Sequence, residues 1–176
     1  MKKFFCLHGL PRAGNTLLGS IINQNPKVAV TANSIIADML GELYLLQNTD
    51  IFKNFPDHKS FDNVTKSLIQ TYYKDWPQDY IIDRNPWGFP INLKFLKKVQ
   101  DEIKIIVLVR DVPEILASFI KHSERESTSF VNQFAAKTIE EKCDMLMNQE
   151  GQVVKELIGI KHLLDHQPKE MYHIVE

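Results

Sequence analysis

The sequence predicts an α/β fold of three layers, a central parallel sheet flanked by helices, and three observations predict it. Short, largely apolar runs recur, among them Phe4-Phe5-Cys6-Leu7 and the stretch from Ile103 to Val109, and such runs suit strands buried on both faces of a parallel sheet. Between them lie segments whose apolar residues fall three and four apart, the period of one helix face. The two patterns alternate along the chain, which calls for right-handed crossovers and parallel strands. With 176 residues, the chain suits one ordinary domain, because a single core usually fills before roughly 250 residues. Residues 1–176 are therefore read as one domain.

The elements follow in order. Phe4–Leu7 is the first strand, bounded by Gly9, and the apolar positions 17, 18, 21 and 22 mark a helix from Asn15 to Asn23. Lys27–Thr31 is a second strand, and Ser34–Leu46 is helical with Ser34 as its expected N-cap. Residues 47–60, with Asn48, Asp50, Asn54, Pro56 and Asp57, form a surface excursion. A helix over Phe61–Tyr73 ends before Trp76-Pro77, Asp79–Asp83 is a strand, and Arg84–Gly88 is a loop ahead of a helix near Ile91–Gln100. Ile103–Val109 is the clearest strand, rich in β-branched residues. Asp111 caps a helix with an early Pro113 that runs to about Lys121. Residues 122–128 are polar, Ser129–His166 is helical with bends at Gly151 and Gly159, and Met171–Val175 is the last strand.

Composition narrows the function. The chain is 44% hydrophobic and 24% charged with a net charge of −1, which excludes a disordered chain and a broadly cationic nucleic-acid binder. Any anion site must be local. Cys6 and Cys143 have neither disulfide nor metal-ligand spacing and are expected as buried free thiols. The six histidines show no metal spacing either, so no metal is expected. No apolar segment approaches the roughly 20 residues of a membrane helix, and Met1-Lys2-Lys3 precedes too short an apolar run for a signal peptide. A soluble cytoplasmic protein that binds neither membrane nor nucleic acid is the expectation.

Three stretches carry chemistry, and all begin at expected strand carboxyl ends, where α/β sheets bind ligands. Gly9-Leu10-Pro11-Arg12-Ala13-Gly14-Asn15-Thr16 has the G-x-x-x-x-G-K-[ST] spacing of a phosphate loop with Asn15 in place of lysine. Such a turn aims backbone N–H groups and a helix dipole at one anion. It also suits an ordinary strand-to-helix connection, but Arg12 and Thr16 add a guanidinium and a hydroxyl beside those amides. Arg12 supplies the charge that Asn15 lacks, through a planar fork matched to an oxyanion. Arg110 follows the clearest strand with Ser118 eight residues on, and Asp83-Arg84-Asn85-Pro86-Trp87 places another arginine on a rigid turn. Taken singly, Arg110 also reads as an ion pair with Asp111, and Arg84 as a loop arginine beside an anchoring tryptophan.

Together these residues resemble the sulfotransferases that use 3'-phosphoadenosine 5'-phosphosulfate (PAPS). Residues 9–18 resemble their G-x-P-R-S-G-[TS]-T-L-L loop, and Ile105–Pro113 with Ser118 resembles their strand, Arg-Asp and serine-bearing helix. Ile82-Asp83-Arg84-Asn85-Pro86 resembles the Asp-Lys-x-Pro turn of bacterial and tyrosylprotein-type members. The resemblance spans residues 4–123 and implies a P-loop-like fold without catalytic magnesium, in which the missing lysine is dispensable. It implies that the amides of Arg12, Ala13, Gly14, Asn15 and Thr16, with the Thr16 hydroxyl, hold the 5'-phosphosulfate. Arg110 and Ser118 would hold the 3'-phosphate. Arg12 and Arg84 would meet the charge that grows as the sulfuryl group departs to a small-molecule, peptide or glycan acceptor.

Two departures stand out. Relatives often carry a general base after the first helix, but Val30-Thr31-Ala32-Asn33-Ser34 has no carboxylate. Asp38 is the nearest by sequence and is taken as the expected base, with His8 and Asp83 as alternatives. Relatives also continue past a strand like Tyr172–Glu176 into a segment that closes over the cofactor, so the sequence reads as truncated at its C-terminal end. A P-loop kinase or NTPase is the rival enzyme class, disfavoured by Asn15 and by the absence of a clear Walker-B aspartate. A nucleotide-binding protein without catalysis is the third reading.

Overall fold

The structure, a computed structural model, describes residues 2–134 and 136–176. Five parallel strands form one sheet: β1 (Lys3–Gly9), β2 (Val28–Val30), β3 (Tyr80–Arg84), β4 (Ile105–Leu108) and β5 (Tyr172–Val175), in the order β2-β3-β1-β4-β5. The central strand β1 pairs with β3 from Lys3↔Tyr80 to Leu7↔Arg84 and with β4 from Cys6↔Ile105 to Gly9↔Leu108. The chain leaves β1 toward one edge of the sheet and later returns to the other. The switch point thus lies at the carboxyl end of β1, where such sheets open a crevice.

Strand alternation builds two unequal cores. Phe4 and Cys6 of β1 face one way with Ala29, Ile81, Ile105 and Val107. Onto that face pack α2 (Ile36–Leu46), α4 (His58–Tyr72), α5 (Pro90–Val99), α6 (Val112–Arg125), α7 (Ile139–Met147) and α8 (Gln152–His166), through residues such as Leu40, Ile69, Leu96, Ile115, Leu146 and Leu163. Leu7 faces the other way with Val30, Ile82 and Leu108, covered by Leu18 and Ile22 of α1 (Asn15–Ile22). The three-layer α/β fold is therefore present. Strands with both faces covered explain why the runs read as continuous apolar segments instead of alternating ones.

Several boundaries differ from the sequence reading, each for a local reason. The excursion over 47–60 contains a short helix α3 (Asp50–Asn54) that Thr49 caps, and α4 starts earlier than expected because Asp57 accepts from the Ser60 N–H. The helix after Asp111 runs past Lys121 to Arg125; Asp111 occupies the N-cap position without a side-chain bond. Ser34 does not cap α2 from the N-cap position, which Ile35 holds; its Oγ accepts from Ile36 N–H and from Asn85 Nδ2. The single helix expected over 129–166 is three pieces. A 3-10 turn spans Phe130–Gln133, a capping box of Thr138 and Glu141 starts α7, and Gly151 starts α8. Gly159 does not interrupt α8; it lies inside the helix against Phe89. Cys6 is buried as expected, whereas Cys143 is only half-buried.

Candidate active site

At the carboxyl end of β1 the chain turns sharply. Leu10 N–H bonds to Leu108 O, extending the sheet, and Ala13 N–H returns to Leu10 O. Arg12 (φ 61°) and Gly14 (φ 103°) both take left-handed backbone conformations, which glycine adopts freely and arginine does not. The turn delivers the chain to α1 with Gly14 at the N-cap and no side-chain cap. The first-turn amides of α1 are thus left without a side-chain cap at the positive end of the helix dipole.

Asn15 answers for the absent lysine in structural terms. Its Nδ2 donates to Leu10 O at 2.8 Å, and its Oδ1 lies so close to Gly9 that a Cβ there would meet it at 1.9 Å. That Oδ1 is buried without a hydrogen-bond partner among the described residues. Asn15 braces the turn from inside, where a lysine of nucleotide kinases would reach outward.

Three arginines from three segments surround the turn. Arg84, at the end of β3, donates from Nη1 to Thr16 Oγ1 (3.2 Å) and from Nε to Asn33 Oδ1 (3.1 Å). Its own N–H bonds to Thr31 Oγ1 at 2.9 Å. Partial burial pulls its guanidinium down from its ordinary value, although an arginine remains charged. Arg12 donates from Nε to Ser118 Oγ at 3.3 Å. Arg110 reaches back from Nη1 to Arg12 O at 3.3 Å, while its Nε meets Glu114 Oε2 at 2.6 Å. Glu114, not Asp111, is therefore its acidic partner.

The turn holding Arg84 rests on a buried carboxylate. Asp83 is fully buried and accepts from Tyr73 Oη, from Asn85 Nδ2 at 2.6 Å and from Trp87 Nε1 at 2.9 Å. Burial, and then repulsion from Asp83, hold the Tyr73 phenol well above its ordinary value, so it stays a donor. Burial likewise pushes up the Cys6 thiol, with Asp83 adding to the shift. Asp83 is occupied in this network and is not free to act as a base.

These residues enclose a cavity of about 760 Å³ whose lining includes Arg12, Thr16, Arg84, Arg110 and Ser118. Asp38, in the first turn of α2, lies on its wall, exposed and without a hydrogen-bond partner among the described residues. His8 and Glu156 line it as well. Sequence reasoning missed three participants. Glu114 was visible as an i+4 partner of Arg110, Asn33 carried no signal, and Glu156 lies 148 positions from the histidine it bonds. Among the described residues no His, Cys, Asp and Glu group is arranged to hold a metal, and no helix is long and apolar enough to cross a membrane.

The fold and the turn define a P-loop-like α/β protein in which Asn15 stands in place of the lysine and three arginines ring the turn. Residues 5–159 match the sulfotransferase family, and the chain belongs to that family. Among solved structures, the sulfotransferase domain from the curacin biosynthetic pathway shares the fold, with a TM-score of 0.60 at 15% sequence identity. That similarity covers 99% of this chain and 66% of the other. The chain thus spans about two thirds of that relative's length. No curated protein gives a significant sequence match.

Proposed function

We propose that the chain transfers a sulfuryl group from PAPS to a hydroxyl or amine acceptor, in the cytoplasm. The observation that carries this reading is the convergence of Arg12, Arg84 and Arg110 on an uncapped helix N-terminus, in a chain of the sulfotransferase family. The fit to such a donor is chemical. A nucleotide with phosphosulfate at one end and phosphate at the other presents several anionic oxygens, and this cavity presents amides, hydroxyls and planar cations.

In this reading the amides of Arg12 to Thr16 and the Thr16 hydroxyl hold the phosphosulfate, while Arg110 and Ser118 hold the 3'-phosphate. Arg84, already directed at Thr16, stands with Arg12 where charge develops on the bridging oxygen. Preorganised cations at such a place supply a large part of transfer catalysis. Beyond Ser118 a second hollow of about 310 Å³ carries Lys121 and Arg125, which extends the positive field on the 3'-phosphate side. Asp38 and Glu156 line the same cavity and are the two carboxylates placed to take a proton from an acceptor. The donor supplies the activated sulfuryl group; binding, orientation and charge neutralisation fall to these side chains.

The test is thermal stabilisation by 3'-phosphoadenosine 5'-phosphate (PAP), beside ADP and ATP, each with and without magnesium. A ligand at about 100 times its dissociation constant adds about 2.7 kcal/mol when it binds only the folded chain. Stabilisation by PAP, indifferent to magnesium, is expected. Arg110→Ala should weaken PAP by about 1.5–3 kcal/mol, the scale of a hydrogen bond to a charged group, and leave AMP affinity nearly unchanged. Magnesium-dependent preference for ATP would instead assign the cradle to a nucleoside triphosphate.

A further inference from the structure

A negative side chain inside an anion site weakens the ligand unless it has a task of its own. Glu156 is such a side chain. It comes from α8, far along the chain from the loop, and it is held in the cavity by a built contact. His8, at the end of β1 and 2% exposed, donates from Nε2 to Glu156 Oε2 at 2.7 Å; Glu156 is 22% exposed. The other ring nitrogen accepts the Gly88 N–H at 2.8 Å. Nδ1 therefore carries no hydrogen, and the proton on Nε2 points at the carboxylate.

The surroundings fix this arrangement. A Cβ at Gly88 would lie 2.3 Å from His8 Nδ1, so only glycine lets its amide approach the ring. Phe89 packs 5.8 Å from the imidazole between ring centroids. It also presses on Gly159, where a Cβ would meet it at 3.1 Å. Glu156 lies three residues before Gly159, on the same helix face. Close approach of α8 at Gly159 thus brings Glu156 to the crevice. Asp38 has no comparable support.

We propose that Glu156, oriented by His8, is the general base of the transfer, an inference that rests on the sulfotransferase reading above. As the acceptor oxygen or nitrogen bonds to sulfur, its O–H or N–H bond breaks and the proton passes to Oε1, the carboxylate oxygen His8 leaves free. The bond from sulfur to the bridging oxygen breaks, and its electron pair stays on the 5'-phosphate, where Arg12 and Arg84 meet the charge. His8 cannot take the proton because its Nδ1 lone pair already accepts Gly88 N–H; it acts as a positioning residue.

Glu156→Gln separates this role from a structural one, since the amide oxygen can still accept from His8 Nε2–H. The assay is release of PAP and sulfate from PAPS with water as the acceptor, followed between about pH 3 and pH 9 to span carboxylate and imidazole titration. The charged and titratable groups sharing the cavity are His8, Arg12, Asp38, Arg84 and Arg110. Glu156→Gln is expected to lower turnover by about 100-fold or more, the scale of a positioned base, and to abolish the acid limb of the rate profile. KM for PAPS and stabilisation by PAP stay level or improve. His8→Gln should lower turnover less, with KM for PAPS unchanged. Wild-type turnover in Glu156→Gln, or a loss confined to Asp38→Asn, overturns the proposal, as does a wild-type chain that holds PAP yet leaves PAPS intact. A wild-type chain that PAP fails to stabilise overturns the sulfotransferase reading itself.

Discussion

Tyr73→Phe removes one oxygen atom and nothing else, and that oxygen's donor role is toward one carboxylate. It donates to Asp83, a carboxylate with no exposure to water whose other donors are Asn85 Nδ2 and Trp87 Nε1. Because burial and Asp83 together raise the phenol, Tyr73 remains a donor throughout the range in which the protein would be handled. Its loss leaves a buried charge with two donors in place of three. A hydrogen bond to a charged group contributes about 1.5–3 kcal/mol, and no solvent reaches the site to replace it. For a domain of this size each kcal/mol moves the melting temperature by about 2–4 °C, so a drop of about 3–12 °C is expected. Urea denaturation should show a lower midpoint at an unchanged slope, the signature of lost stability without a change in compactness. A loss below about 0.5 kcal/mol, the level of an ordinary surface substitution, would refute the reasoning and mean that Asp83 does not depend on the phenol.

Two further outcomes follow from local geometry. Gly9→Ala would place a methyl 1.9 Å from Asn15 Oδ1 and 2.9 Å from Leu108 Cβ; a cost of about 1–3 kcal/mol, typical of overpacking, is expected by thermal denaturation, together with weaker PAP binding as Asn15 is forced off Leu10 O. Glu141 is held below its ordinary value of 4.5 by the N–H groups of Thr138 and Lys137, so the stability it lends is present above that value and lost as pH falls through the lower, folded-state one. The stability gap between wild type and Glu141→Ala should therefore narrow on acidification, and a gap independent of pH would remove the capping box as its cause.

Much of the fold was legible because β1 and β4 are buried on both faces and carry their strand character in composition. The loop and Arg110 with Ser118 were legible because short-range spacing encodes them. The break near 138 was also written in the sequence, as the Thr-x-x-Glu box at Thr138 and Glu141, but helical periodicity on either side of it masked the signal. Gly151 was read as a bend and is the N-cap at which α8 begins: a Cβ there would lie 2.3 Å from Leu146 O. Contacts between distant segments left no trace in local patterns. Nothing near Asp83 announces that Tyr73 donates to it, and nothing near His8 announces Glu156. Burial of aromatic rings shows the same limit: Tyr73, at the C-cap of α4, is core, whereas Phe55, at the C-cap of α3, stands 84% exposed.

The position of β1 in the sheet also orders events in time. Its partners are residues 80–84 on one side and 105–108 on the other, and β4 in turn waits for residues 172–175. The strand that bears the turn is made before both of its partners, and its two ladders cannot close until residues 84 and 108 have been made. Nonlocal pairing of this kind slows folding, and it leaves the Phe4–Leu7 segment unpaired during synthesis. Lys2 and Lys3, just ahead of that apolar run, are charges flanking a segment that waits unpaired for its partners.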